Sequence, residues 1–213
     1  NEYPVFTDIS QCDKKADVII DFSHPSAVDQ VLEYAVNTKT PIVVCTTGLS
    51  DVQKKNMQEA SSKIPVFFSA NMSLGINLLI SLSKKAAQLL GEDFDIEIIE
   101  KHHNQKIDAP SGTALAIADA LTDEAKTPMQ YVYDRHSKRT KRTKNEIGLH
   151  AVRGGTIVGE HEVIFAGHNE VISLSHSAQS KEVFAVGAIR AAKFLAPLNP
   201  GMYSMQDLVA SMN

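Results

Sequence analysis

The densest concentration of proton-moving and anion-binding side chains runs from Glu97 to Leu115. His102, His103, Lys106 and Asp108 fall within seven positions, followed by Pro110-Ser111-Gly112-Thr113 and an Ala/Leu-rich run. Histidine is the side chain best matched to giving or taking a proton near neutral pH. Ser111 is a good helix N-cap, and Pro110 ahead of it is a local breaker. Gly112 and Thr113 are then the first helical residues. Their backbone N–H groups, together with the positive end of the helix dipole, form a seat for an anion. A carboxylate docked there would sit near Lys106, and His102 and His103 are close enough in sequence to face the same ligand. The chemistry on offer is proton transfer beside a bound carboxylate. A plainer reading stays open on these residues alone: surface histidines, a solvated Lys106–Asp108 pair, and a serine that only caps.

The elements that position this cluster can be read from patterning. Phe94, Ile96 and Ile98 alternate with Asp95 and Glu97, which is the period of a strand with one buried face. That strand ends near the histidine pair, so the polar cluster sits at a strand end or in the loop after it, where function usually sits. The helix that follows is expected over 111–125.

The run Glu97-x-x-Glu100-x-His102-x-x-x-Lys106-x-Asp108-x-Pro110-Ser111-Gly112-Thr113-Ala114 resembles the signature of the dihydrodipicolinate reductase family, also called 4-hydroxy-tetrahydrodipicolinate reductase. The resemblance extends to Asp21-Phe22-Ser23, Thr46-Thr47-Gly48, Ser69-Ala70-Asn71-Met72-Ser73-x-Gly75 and Arg153-Gly154-Gly155, and so to nearly all of the chain. It implies an NADH- or NADPH-dependent oxidoreductase of lysine and diaminopimelate biosynthesis. The implied substrate is a six-membered cyclic imine bearing two carboxylates, reduced by hydride transfer and then protonated. In that scheme His102 is the proton donor, helped by the charge of Lys106, while His103, Ser111, Gly112 and Thr113 hold the substrate.

Residues 15–73 read as alternating strands and helices. Strands are expected over 18–22, 41–45 and 65–69, and helices over 26–37 and 50–62. Val28, Val31, Leu32 and Ala35 lie at helical spacing in the first helix. Continuous apolar strands between helices imply a parallel sheet covered on both faces, with ligands at its C-terminal strand ends. Phe22-Ser23-His24, Cys45-Thr46-Thr47-Gly48 and Ala70-Asn71-Met72 stand there, offering small or polar groups and backbone amides suited to a nucleotide. The family resemblance places Cys45-Thr46-Thr47 and Ser69-Ala70-Asn71-Met72 on the nicotinamide side of the cofactor site. Three departures from the family stand out. The chain opens at Asn1-Glu2-Tyr3-Pro4-Val5-Phe6, in what reads as the approach to a third or later strand. The glycine-rich turn that seats a pyrophosphate, and its strand–turn–helix unit, are therefore expected to be missing. Cys45 stands where the family usually has glycine, and Asn104-Gln105 where many members carry basic residues.

A long helix over 73–90, capped by Asn71 or Ser73 and ended by Gly91, leads into the His/Lys strand. A domain boundary is expected near Ser73. The expected fold is α/β: a Rossmann-like parallel sheet, N-terminally incomplete, over 1–73 and 182–213, and a second α+β domain over 74–181. That second domain has a mixed, largely open-faced sheet with further strands at 147–152, 156–166 and 170–177, the last two joined by Gly167-His168-Asn169. The resemblance implies that the open face assembles a homotetramer. A helix is expected over 181–195, then a turn at 197–201 and a closing segment from Tyr203, which the resemblance returns to the nucleotide domain. Arg135 to Lys144 is a basic run that could attract a doubly anionic substrate or nucleic acid, and reads first as a mobile, solvated loop.

Composition bounds the rest. The chain has 213 residues, is 43% hydrophobic and 22% charged, and carries a net charge of -4. That is ample for a sizeable core and points away from a nucleic-acid or membrane-surface binder. The two cysteines, Cys12 and Cys45, make a disulfide framework unexpected. No membrane-spanning run or secretory signal is visible, so a cytoplasmic location is expected. A metal-dependent hydrolase is disfavoured, because His161-Glu162 lacks a second histidine four residues on and falls on a strand. The remaining alternative is a non-catalytic or inactive truncated ligand-binding or assembly protein of the same fold.

Overall fold

The structure, a computed structural model, describes residues 3–212. The chain divides into two compact units, Asn1–Leu74 with Phe184–Asn213, and Gly75–Val183. In chain order the elements of the first stretch are β1 (Ile19–Asp21), α1 (Pro25–Thr38), β2 (Ile42–Val44), α2 (Asp51–Ser61), β3 (Pro65–Phe68) and α3 (Leu74–Leu90). There follow β4 (Asp95–His102), α4 (Gly112–Asp123), β5 (Gln130–Val132), β6 (Glu146–Arg153), β7 (Gly159–Ala166) and β8 (Val171–Ala178). The chain closes with α5 (Glu182–Leu195), β9 (Gly201–Tyr203) and α6 (Met205–Ala210). Of the opening stretch, Asn1 and Glu2 lie outside the described residues; from Tyr3 to Val18 there is one short 3-10 turn, Ile9–Gln11.

In the first unit β1, β2, β3 and β9 pair in that order, all parallel. Ile42, Val43 and Val44 are each fully buried, because helices cover both faces. Ile42, Val44 and Val66 pack against Val28, Leu32 and Ala35 of α1 and Met57 and Ala60 of α2. Val43 and Phe67 point the other way, into Ala188, Ala191 and Leu195 of α5 and Met205 and Leu208 of α6. Full burial of such a side chain contributes about 1.5–3 kcal/mol. At Gly187 a Cβ would lie 1.7 Å from the Met72 carbonyl oxygen, so only glycine lets α5 approach the segment after β3 this closely.

In the second unit the sheet order is β5-β6-β4-β7-β8, with β5, β6 and β4 parallel and β7 and β8 antiparallel. One face is covered by α3 and α4, whose Ile76, Leu79, Ala114, Ile117 and Leu121 meet Ile98, Leu149, Val163 and Phe165. The other face carries polar side chains, among them the Lys101–Glu160 ion pair at 3.0 Å and exposed Ser173, Ser175 and Ser177. Among the described residues no helix is long and apolar enough to cross a membrane.

Four features differ from the sequence reading. β4 runs four residues further than its apolar alternation, through Ile99 to His102. β7 starts at Gly159, because Gly155 and Thr156 form a turn where a strand was expected. The three-residue strands β5 and β9 have no local pattern; each forms by pairing with a longer neighbour, β9 in the stretch read as a turn and closing segment. The basic stretch is pinned rather than mobile. Arg142 reaches Glu97 Oε1 at 3.1 Å, Asp95 Oδ1 at 3.0 Å and the Ile96 carbonyl at 3.1 Å, while Arg135 bridges Glu97 and Glu146, both at 2.7 Å.

Candidate active site

The site in the second unit is built on the end of β4. Strand alternation turns Ile98, Glu100 and His102 to the helix-covered face, and the register sets Glu100 opposite His161 of β7. Glu100 is fully buried and accepts from four donors. Oε2 takes His102 Nδ1 at 2.6 Å and Arg153 Nη1 at 2.7 Å; Oε1 takes Arg153 Nη2 at 2.7 Å and the Ser111 backbone N–H at 3.0 Å. Burial opposes the negative charge, but Arg153, His102 and the Ser111 N–H outweigh it and hold the carboxyl below its usual range. An ionised carboxylate only accepts, so the His102 Nδ1 carries the hydrogen.

The loop after β4 is tied at both ends. The Gly154 N–H donates to the His102 carbonyl at 2.9 Å, Asn104 N–H to the Gly155 carbonyl at 3.2 Å, and Arg153 Nη2 to the Asp108 carbonyl at 2.6 Å. Lys106 N–H closes a turn onto the His103 carbonyl at 3.1 Å. Lys106 Nζ pairs with Asp108 Oδ1 at 2.9 Å. That contact, helped by the Gly112 N–H, lowers the Asp108 carboxyl below its ordinary range. His103 is partly exposed, and Gly112 lies exposed at the start of α4.

Ser111 is 2% exposed, and its hydroxyl has two duties. It accepts from the Ala114 N–H at 3.1 Å, the N-cap its type predicts, and it meets His161 Nε2 at 3.2 Å. The His161 ring stands edge-on to that of His102, centroids 5.2 Å apart. Burial first, and then the neighbouring His102, push the His161 imidazole down to about 4. His161 therefore stays neutral at physiological pH. Sequence reasoning placed it on a strand and weighed it only as a metal ligand; it quoted Glu100 in the signature without giving it a role, and read Arg153 as a turn residue. The signal available was the period-two spacing Glu100–His102 opposite a strand carrying His161. Among the described residues no three His, Cys, Asp or Glu side chains converge as a metal cluster would require.

The first unit presents a second candidate region. β1, β2 and β3 end in register, so Phe22, the 45–48 stretch and the 69–72 stretch leave the same sheet edge. Phe22 is 55% exposed, and Thr47, Gly48 and Ala70 are exposed. The others support this edge from beneath. Thr46 Oγ1 donates to Asp21 Oδ2 and the Ser23 carbonyl, both at 3.0 Å. The Cys45 thiol, buried and beside Asp21, is pushed up to about 12 and is inert as a nucleophile. Ser69 Oγ donates to the Asn71 carbonyl at 3.0 Å, Asn71 Oδ1 accepts from Ser73 N–H at 2.8 Å just ahead of α3, and Met72 is buried. An exposed aromatic face and backbone amides at the carboxyl ends of a parallel sheet fit a nicotinamide nucleotide.

Two family profiles match this chain: "Dihydrodipicolinate reductase, N-terminus" over residues 1–72 and "Dihydrodipicolinate reductase, C-terminus" over residues 75–209. The chain belongs to the dihydrodipicolinate reductase family. Among its relatives, the 4-hydroxy-tetrahydrodipicolinate reductase of Caldanaerobacter subterraneus subsp. tengcongensis is 59% identical over 98% of this chain and 82% of its own length. The enzyme of that name from Clostridium novyi is 51% identical over 100% of this chain and 84% of its own. A dihydrodipicolinate reductase structure from Paenisporosarcina sp. TG-14, with dipicolinate bound, shares the fold. Its TM-score is 0.74 at 24% identity, over 90% of this chain and 73% of that one. Dihydrodipicolinate reductases are thus similar to this chain across both units.

Proposed function

We propose that this chain reduces 4-hydroxy-tetrahydrodipicolinate to tetrahydrodipicolinate, with NADH or NADPH as reductant, in lysine and diaminopimelate biosynthesis. One observation carries the site assignment: a single buried carboxylate, Glu100, holds both the imidazole of His102 and the backbone at the head of α4. A proton donor and an anion seat are thereby fixed side by side, with Lys106 in the loop between them.

A bound reduced nicotinamide supplies the hydride. Phe22, Thr47, Gly48 and Ala70 are the residues that would touch it, with Cys45, Thr46, Ser69, Asn71 and Met72 shaping the edge. The substrate ring loses its hydroxyl as water, and hydride addition conjugate to the imine leaves electron density shared between the ring nitrogen and the ring carbon next to the imine carbon. That carbon needs a proton. His102 gives it from Nε2: the N–H bond breaks, a C–H bond forms, and a neutral imidazole remains with its Nδ1–H on Glu100. The positive charge of Lys106 stabilises the developing anion, and Lys106 exchanges Asp108 for a substrate carboxylate as the ligand arrives. His103 and the N–H groups of Gly112 and Thr113 hold the carboxylates. Ser111 keeps that helix start in place. The polar face of the second sheet is read as the assembly surface of a cytoplasmic homotetramer, which sedimentation would check.

The test is loss of reduced-nicotinamide absorbance when the purified chain meets freshly generated cyclic imine. Turnover with either cofactor supports the reading. A folded protein that turns over neither would overturn it.

A further inference from the structure

We propose that Glu100 is the positioning residue of the proton transfer: it fixes which nitrogen of His102 faces the substrate, and it holds that nitrogen in register with the helix start that seats the carboxylates. The inference rests on the reading of His102 as proton donor and goes one residue deeper.

The geometry carries it. Both oxygens of Glu100 are occupied by donors from three different elements: Nδ1 of His102 at the end of β4, the guanidinium of Arg153 at the end of β6, and the N–H of Ser111 at the cap of α4. The two-pronged contact with Arg153 leaves the carboxylate no rotation, and a planar fork of this kind is the most directional charged contact available. The His102–Glu100 bond is short, at 2.6 Å, and wholly buried on the carboxylate side. It commits Nδ1 to Glu100 and leaves Nε2 as the only nitrogen that can release a proton to a ligand. The rest of the imidazole is boxed. A Cβ at Gly159 would lie 3.2 Å from Nε2, so glycine there lets the ring occupy this place, and the neutral His161 ring stands edge-on beside it. Arg153 and Ser111 are thus tied to the donor through one group.

Replacing Glu100 by glutamine keeps the shape and inverts one hydrogen-bonding site. Every partner of Glu100 is a donor, so the amide nitrogen of a glutamine faces a donor whichever way it points. His102 is the one partner that can answer by giving up its Nδ1 proton, which removes the charged, doubly protonated ring that donates from Nε2.

Three measurements test this. The first reads the wild-type protein and so does not depend on a Glu100 variant folding: histidine nitrogen NMR, with the His102 signals identified by their loss in His102→Gln. At a pH where the ring is neutral, its one proton is expected on Nδ1, so that the second, transferable proton of the charged ring sits on Nε2; a neutral ring with its proton on Nε2 overturns the proposal. The second is steady-state kinetics of Glu100→Gln, where kcat is expected to fall about 10- to 100-fold with substrate KM within about threefold. A loss carried by KM overturns it. The third is the double variant. If Glu100 acts through His102, Glu100→Gln adds no further loss to His102→Gln. Multiplying losses would mean a general structural role and would sink the proposal alone. A His102→Gln enzyme near wild type would instead sink the donor reading, and this proposal with it.

Discussion

Lys106 Nζ lies 2.9 Å from Asp108 Oδ1, so the ammonium group read as receiving the substrate is already paired with a carboxylate of its own loop. The Lys106 side chain is 23% exposed and that of Asp108 is 56% exposed. A pair this open contributes about 0–1 kcal/mol. It is strong enough to order the loop and weak enough for a dianion to displace.

Removing the internal competitor should therefore help ligand binding slightly. Asp108→Asn is expected to bind the proposed substrate class, a six-membered ring with two carboxylates, up to about fivefold more tightly, the equivalent of the pair's own strength. Titration calorimetry measures it. Weaker binding in the variant would mean that Asp108 supports the seat rather than filling it.

Removing the lysine should be felt twice. Its charge is present in the ground state and in the transition state, so Lys106→Ala is expected to raise substrate KM and lower kcat together. Loss of one charged hydrogen bond corresponds to about 1.5–3 kcal/mol, or about 10- to 100-fold in kcat/KM. An effect confined to KM would restrict Lys106 to binding.

His161 gives stability a pH dependence with a definite sign. Burial depresses its imidazole to about 4 from an ordinary 6.5. Above pH 6.5 both folded and unfolded chains hold it neutral. As pH falls from there toward 4, the unfolded chain takes up a proton that the folded chain refuses, so stability is lost across that window. The loss is on the order of 3 kcal/mol at about 1.4 kcal/mol per pH unit. Denaturant unfolding across this range should show that slope in the wild type and a shallower one in His161→Gln.

The pinned basic stretch is testable by protease. Arg142 joins Glu97, Asp95 and the carbonyl of Ile96 from a largely buried position. Arg142→Ala is expected to destabilise the fold by about 1.5–3 kcal/mol and to open residues 133–145 to trypsin. Unchanged resistance would mean that the Arg135 contacts suffice.

Much of the framework was legible because its causes are local. Val43 between Ile42 and Val44 reads as a strand buried on both faces, and the alternation along 156–166 and 170–177 reads as strands, found at Gly159–Ala166 and Val171–Ala178. Ser111 announces its helix by type. What escaped was settled by partners distant in sequence. Glu100-Lys101-His102 looks like the start of a loop, yet it stays in the strand because Arg153 and Ser111 satisfy a carboxylate that would otherwise be buried alone. Arg142 reads as a solvated cation until the fold brings it to Glu97, forty-five positions earlier. The signature residues lie together at the end of β4 and the head of α4, but the group that joins His102 to the helix start was visible only in three dimensions.

The most direct test of the central claim, that the His102 imidazole delivers the proton beside a carboxylate seat at the head of α4, is the steady-state kinetics of His102→Gln with the cyclic imine. The expected result is a kcat about 10²- to 10⁴-fold lower with substrate KM little changed, the signature of a lost general acid in an intact binding site. A variant with wild-type kcat would contradict it.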